Sequence, residues 1–300
     1  MIAPESTPGI LLLGSESGFC FHALKTLRDL RLGVAEVLLA TGTQAATARP
    51  VLRGSIPLSQ PGSVADLAAR EGISVIQCDS TQEDWAYELA RELAPDVVLV
   101  ACLPERLEAR WCKVSVHGCF NLHPSLLPAY RGPAPLFWQL RDGRSETGIS
   151  VHRVESAIDC GALLAQETLR IGEDDTMATL NAALASAGVQ LFARALASVI
   201  DGTAVLTPQD ENAASYYPWP TQNDFRLDPA WTATRALSFV RATQSMGMAY
   251  RVELGNAALI IDRALDADDH ATMIDDVHQE GSVLAIRFAK GVLRAVGRKA

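Results

Sequence analysis

From Ile10 onward, short, mainly apolar runs alternate with stretches whose apolar residues recur every three or four positions. Ile10–Leu13 ends at Gly14; Phe21, Leu24, Leu27 and Leu30 then keep helical spacing through Leu32, and Ala35–Ala40 is a second run. Ser63–Glu71 reads as a helix stopped by Gly72, and Ile73–Ile76 as a third strand. Trp85, Leu89 and Leu93 mark another helix ahead of Pro95-Asp96 and the strand Val97–Ala101, and Cys119–Leu122 closes the set. This alternation predicts an α/β fold: a Rossmann-like, mostly parallel sheet with helices on both faces. Ligands of such sheets bind beyond the carboxyl ends of the strands. Asn121 and His123 stand at one of those ends.

The proline-rich stretch Pro124–Gly132 cannot form a regular helix. A short helix at 134–140 and a strand at 148–154 follow. Thr176 can cap a long helix in which Leu180, Leu184, Leu191, Leu196 and Val199 recur, with Gly202 at its end. Residues 207–224 change character and read as a linker between a catalytic domain, 1–206, and a small β-rich, OB-like domain, 225–300. The second domain is expected to hold a helix at 231–245 and strands at 249–254, 258–264 and 282–288, the first two joined by Gly255-Asn256. Trp219 and Trp231 read as packing residues.

Composition narrows the class. The chain has 300 residues, 48% of them hydrophobic and 20% charged, and a formal charge of −9, which describes an ordinary soluble protein. No basic residue precedes the first apolar stretch, as a secretory signal requires, and runs such as Val97–Leu103 are too short to cross a bilayer. A cytoplasmic location is expected, with no membrane partner. Six scattered cysteines without a CxxC pair read as reduced thiols and exclude the common zinc motifs. No long run is basic, which disfavours a phosphate-backbone partner.

The candidate chemistry lies in Phe120–Gly132. A carboxamide and an imidazole two residues apart at a strand end point to the same side, so Asn121 and His123 can meet one ligand atom. Asp159, in Ile158-Asp159-Cys160-Gly161, adds a carboxylate in a turn. Together they suit acyl transfer to an external amine. Asn121 can donate to the oxyanion that forms when the amine attacks a carbonyl. His123 can support that oxygen or protonate the leaving nitrogen, and Asp159 can orient the imidazole or take the amine's proton through water. Blander roles are a turn cap for Asn121, a structural histidine, an Asp-x-Gly turn and a solvated Arg131. His117, Cys119 and His123 lack an identifiable fourth zinc ligand, so no metal is expected. Gly14-x-x-x-Gly18 is not a dinucleotide fingerprint.

Asn121-x-His123, Ser125-Leu126-Leu127-Pro128, Arg131-Gly132, Glu146-Thr147-Gly148 and Asp159-x-Gly161, in that order, resemble the signature of the folate-dependent formyltransferases. That family includes methionyl-tRNA formyltransferase, sugar N-formyltransferases and glycinamide ribonucleotide formyltransferase. The resemblance implies that Asn121, His123 and Asp159 are catalytic and that 10-formyltetrahydrofolate is the formyl donor. It also implies that Leu99, Ala101 and Leu103 at one strand end flank the folate, with Ser125, Leu126, Leu127, Pro128, Arg131 and Gly132 on the loop.

Two departures bear on the acceptor. The first loop, Gly14-Ser-Glu-Ser-Gly-Phe19, differs from the Thr-Pro-Asp-Phe form of the tRNA enzyme, and Gln244–Tyr250 stands where that enzyme carries Pro-Trp-Pro-Gly-Ala. Residues 210–300 hold 10 Lys/Arg against 12 Asp/Glu, a net 10 − 12 = −2, whereas a tRNA-docking surface should be basic. A small-molecule amine, such as an amino sugar (nucleotide-linked or free) or a modified amino acid, is therefore the expected acceptor, ahead of tRNA. Hydrolysis of the donor ranks lower, because the family's hydrolases carry an extra N-terminal domain and the first strand here begins at Ile10. A non-catalytic folate binder would have no chemical need for all three polar groups. The acceptor pocket is expected where the C-terminal domain and loop 42–61 approach Asn121.

Overall fold

A computed structural model describes residues 8–41, 62–255 and 257–300; loop 42–61, expected to border the acceptor pocket, lies outside the described residues. The chain forms two compact units. The first comprises Met1–Pro135, Glu146–Leu169 and Asn181–Tyr217, and the second Leu136–Ser145, Arg170–Leu180 and Pro218–Ala300.

The first unit opens with β1 (Ile10–Gly14), α1 (Gly18–Asp29), β2 (Val34–Ala40), α2 (Val64–Arg70), β3 (Ser74–Cys78), α3 (Asp84–Leu93), β4 (Val97–Ala101) and β5 (Cys119–His123). After α4 (Pro135–Arg141) come β6 (Glu146–Arg153), β7 (Leu163–Arg170) and α5 (Met177–Ile200). Helix starts follow local chemistry. The Ser17 hydroxyl accepts from the Cys20 N–H to open α1, and Ser63 accepts from the Asp66 N–H to open α2. The seven strands run β3-β2-β1-β4-β5-β6-β7, parallel from β3 to β5 and antiparallel between β5 and β6. The expected mostly parallel α/β sheet is present.

Every residue of β1 and β4 is buried, because both faces are covered. Leu11, Leu13, Leu38, Val98 and Val100 form one apolar layer with Trp111 and Cys119. α5 is long and apolar enough to cross a membrane by length and composition, which corrects the expectation that no segment is. It also serves as a core helix: Leu184, Ala185, Val189 and Phe192 are fully buried, and the Phe192 ring lies 5.9 Å from Phe120.

The second unit contains β8 (Arg226–Leu227), α6 (Ala233–Thr243), β9 (Tyr250–Leu254), β10 (Ala257–Asp268), β11 (Val277–Glu280), β12 (Val283–Arg287) and β13 (Val292–Lys299). Its strand order is β11-β12-β13-β10-β9-β8, a separate β-rich sheet as expected. Phe137, Phe225, Phe239 and Tyr250 make its aromatic core, with ring centroids 5.0–6.4 Å apart. Trp231 packs on Phe239 and lies under the Arg235 guanidinium. Trp219, by contrast, is 59% exposed and does not serve as the packing residue the sequence suggested.

Leu12, at the centre of β1 and fully buried, is flanked within the sheet by Val37 on β2 and Leu99 on β4. Leu12→Ala should destabilise the protein by about 2–5 kcal/mol, measured from urea midpoints. A loss of under ~0.5 kcal/mol would mean that the layer around Leu12 is not close-packed.

Candidate active site

The order of strands reverses direction between β1 and β4, and in sheets of this kind the crevice at the carboxyl ends of such strands takes the ligand. Leu99 and Ala101 on β4 are fully buried, Leu103 just beyond is partly buried, and Cys102 between them turns through a positive φ of 58°. β5 lies next to β4. Its alternation puts Asn121 and His123 on one side, and its antiparallel pairing with β6 sets His152 opposite Asn121 and Ser150 opposite His123. The irregular connection after β6 then brings Asp159 to the same place.

Four polar side chains meet there. Asp159 Oδ1 is 3.5 Å from His123 Nδ1 and 3.7 Å from His152 Nε2, and Asn121 Nδ2 is 3.1 Å from His152 Nε2. Backbone carbonyls fix the proton positions. His152 Nδ1 faces the Arg153 carbonyl at 2.9 Å and His123 Nε2 faces the Tyr130 carbonyl at 2.9 Å; a carbonyl can only accept, so both nitrogens carry hydrogen. In the neutral ring His152 Nε2 is then bare. It accepts from Asn121 Nδ2, which determines which way the carboxamide faces and leaves its second N–H for a ligand.

Charge is distributed unevenly among them. Burial alone would raise the Asp159 pKa. The nearby His123 and His152 rings and the Gly132 N–H, which donates to Oδ2 at 2.9 Å, hold it low instead, at about 2. His123 moves down from its ordinary value because burial disfavours the imidazolium, with Asp159 opposing that effect. At neutral pH the pair is an anionic carboxylate beside a neutral imidazole whose Nδ1 is bare. The 3.5 Å separation fits a contact with no proton in it.

Two glycines make the approach of Asp159 possible. Gly132 sits at φ 115°, and a Cβ there would lie 2.1 Å from the Tyr217 carbonyl oxygen. A Cβ on Gly161 would lie 1.8 Å from the Arg153 carbonyl oxygen. The loop 125–132 is itself tied down. Ser125 Oγ donates to the Ala129 carbonyl, Ser150 Oγ donates to the Ser125 carbonyl and accepts from the Leu127 N–H, and Gln166 Nε2 donates to the Leu127 carbonyl. The Leu127–Pro128 bond is cis.

Of the residues singled out from the sequence, Asn121, His123 and Asp159 therefore come together, with Gly132 in direct contact. Ser125, Leu126, Leu127 and Pro128 form the adjoining loop, and Leu99, Ala101 and Leu103 line the end of β4. Arg131 is engaged elsewhere: it is buried and bonds Gln209 and Glu211. Sequence reasoning missed His152. The strand at 148–154 was visible, but its pairing with Asn121 was not. Among the described residues no group of three or more His, Cys, Asp or Glu is arranged to hold a metal ion.

The pattern of the formyl transferase family matches residues 10–196, more than half of the chain. The chain belongs to the folate-dependent formyl transferase family. Among sequence relatives of this formyl transferase, the methionyl-tRNA formyltransferase of Kosmotoga olearia is 32% identical over 215 residues, 69% of each chain. That of Geobacillus thermodenitrificans is 31% identical over 196 residues, 65% of this chain and 61% of its own. In fold, the formyl transferase is similar to the N-formyltransferase from Helicobacter canadensis solved with folinic acid and dTDP-3-aminofucose. The two share 16% identity at a TM-score of 0.66, covering 98% of this chain and 100% of the other.

The carboxylate at Asp159 raises the proton affinity of His123, so removing its charge lowers that affinity. In an NMR titration the His123 ring should titrate below its ordinary ~6.5, and Asp159→Asn should move the midpoint further down. A midpoint that rises in the variant would contradict this electrostatic coupling.

Proposed function

We propose that the protein transfers the formyl group of 10-formyltetrahydrofolate to an amine on a small-molecule acceptor, with Asn121, His123 and Asp159 as catalytic residues. The observation that carries this reading is the meeting of those three groups, distant in the chain, in one cluster of polar side chains around His152. The amine lone pair attacks the formyl carbon and forms a C–N bond. The remaining N–H of Asn121 donates to the oxyanion of the tetrahedral intermediate. The proton lost by the amine goes to bare His123 Nδ1, where the resulting imidazolium faces the anionic Asp159. Collapse breaks the bond from the carbon to N10 of the folate, and the proton passes to that nitrogen. No nucleophilic Ser or Cys is needed.

The folate would lie across the β4 end, against Leu99, Ala101 and Leu103 and the Ser125–Gly132 loop, in the crevice where strand order reverses. The small-molecule acceptor is favoured by the charge pattern of the second unit. Arg226, Arg287, Arg294 and Arg298 are each paired with a carboxylate, on Glu253, Asp276, Asp266 and Asp262. Arginines so engaged must leave their partners before neutralising a phosphate backbone. The second reading, formylation of methionyl-tRNA, is favoured by the two sequence relatives that carry that name.

Purified protein given 10-formyltetrahydrofolate and a panel of amino sugars, nucleotide-linked amino sugars and amino acids should release tetrahydrofolate with at least one amine. No donor consumption by folded protein with any amine would contradict the reading. With the active acceptor, Asn121→Ala should lower kcat by about 10²–10³-fold with donor KM within about twofold; equal losses in both would mean that Asn121 serves binding rather than the reaction. A gel shift with initiator tRNA at low salt separates the acceptors: binding that weakens steeply with added salt would favour the tRNA reading.

A further inference from the structure

Asp159 is the most awkwardly placed of the reactive groups. It lies in an irregular connection between β6 and β7, where no strand ladder holds the backbone, and it sits at φ 54°, a region that side-chain-bearing residues rarely adopt. What holds it comes from far along the chain. The Gln209 side-chain Nε2 donates to the Asp159 carbonyl at 2.8 Å and to the Gly161 carbonyl at 2.7 Å. The same amide, through Oε1, accepts from Arg131 Nε at 3.2 Å and Nη2 at 2.8 Å. Arg131 also bonds both oxygens of Glu211, at 2.7 and 2.8 Å.

The chemistry leaves no freedom in how Gln209 faces. A guanidinium only donates and backbone carbonyls only accept, so the amide oxygen must turn to Arg131 and the amide nitrogen to the turn. A carboxylate at position 209 could satisfy Arg131 but would set a negative oxygen against two carbonyls. An aliphatic side chain would satisfy neither. The backbone closes the circuit. Arg131 N–H donates to the Ser215 carbonyl, Tyr217 N–H donates to the Arg131 carbonyl, and the next residue, Gly132, gives its N–H to Asp159 Oδ2. Residues 131–132 therefore grip Asp159 twice: at the carboxylate directly, and at the backbone through Gln209.

We propose that Gln209, anchored by Arg131, is a positioning residue that sets the Asp159 carboxylate against His123, and that Arg131 serves this brace rather than the folate. The inference rests on the formyl-transfer reading for its kinetic consequence but not for its spectroscopic one. The groups whose charge or hydrogen bond acts on His123 are Asp159, His152, Arg131 and the Tyr130 carbonyl. Of these, loss of the Gln209 amide frees the turn that carries Asp159 and leaves the His152 and Tyr130 contacts untouched.

The test uses the full chain, with Gln209→Met as the near-isosteric variant and Gln209→Glu as the one that keeps the Arg131 pairing without the donor. In NMR titrations both should lower the His123 midpoint in the direction of Asp159→Asn. With an active acceptor both should lower kcat by about 10–100-fold while donor KM stays within about twofold. If Gln209→Met does not fold, Gln209→Asn, with the same amide on a shorter stem, carries the same two readouts. A folded variant whose melting temperature falls while the His123 midpoint and kcat stay at wild-type values would overturn the proposal, because Gln209 would then be structural only. So would a Gln209→Glu that behaves as wild type. Wild-type protein inactive with every amine would instead count against the formyl-transfer reading, and the His123 midpoints would still decide the role of Gln209.

Discussion

Asp159 carries a negative charge in a place where its side chain is only 11% exposed, and the organisation of the site follows from holding that charge there. Removing a carboxylate from water costs several kcal/mol unless polar partners replace the lost solvation. Here the Gly132 N–H supplies such a partner, and two imidazole rings and the turn geometry close round the carboxylate. Each has a structural requirement of its own: a glycine at positive φ in the loop after β5, a histidine at the end of β5, a second on β6, and a tight turn at Gly161. The carboxylate and its surroundings have to be built together.

The sheet supplies the positions. Parallel pairing from β3 to β5 puts the carboxyl ends of β4 and β5 on one edge, and the antiparallel β6 runs past that edge with Ser150 opposite His123 and His152 opposite Asn121. The backbone carbonyls of Tyr130 and Arg153 then assign the ring protons. A neutral His123 beside an anionic Asp159 is a proton acceptor with a stabilising partner in place. That is the state an amine attacking a formyl carbon needs, because the proton it sheds must be held briefly before it reaches the leaving nitrogen.

Much of this was legible in the sequence, and what was not has physical causes. The fully buried strands β1 and β4 announce themselves as unbroken apolar runs, β2 as a run interrupted only by Glu36, and α1 and α2 carry serine caps. β7 does not: Leu163–Arg170 has no fully buried residue, so it shows neither an apolar run nor a clean alternation. The same holds for β11, whose Val277–Glu280 is largely exposed. Asn121 and His123 stood out because two polar side chains close a buried strand. His152 was hidden because its importance comes from strand register, which local pattern does not encode. Gln209 was hidden for a similar reason: its contact with Arg131 spans about 80 residues of sequence, and Arg131 itself was singled out only through the resemblance, as a folate-flanking residue. The apolar character of α5 was visible, but only packing distinguishes a core helix from a membrane-crossing one.

Convergence of the three groups on one carbonyl is tested most directly by a double-mutant cycle on kcat between Asn121→Ala and Asp159→Asn. Groups that act as a unit on one transition state lose their effect together, so the double variant should be no more than a few-fold slower than the slower single variant. A double variant slowed by the full product of the two single effects would mean that the carboxamide and the carboxylate act independently, and the shared centre would be lost.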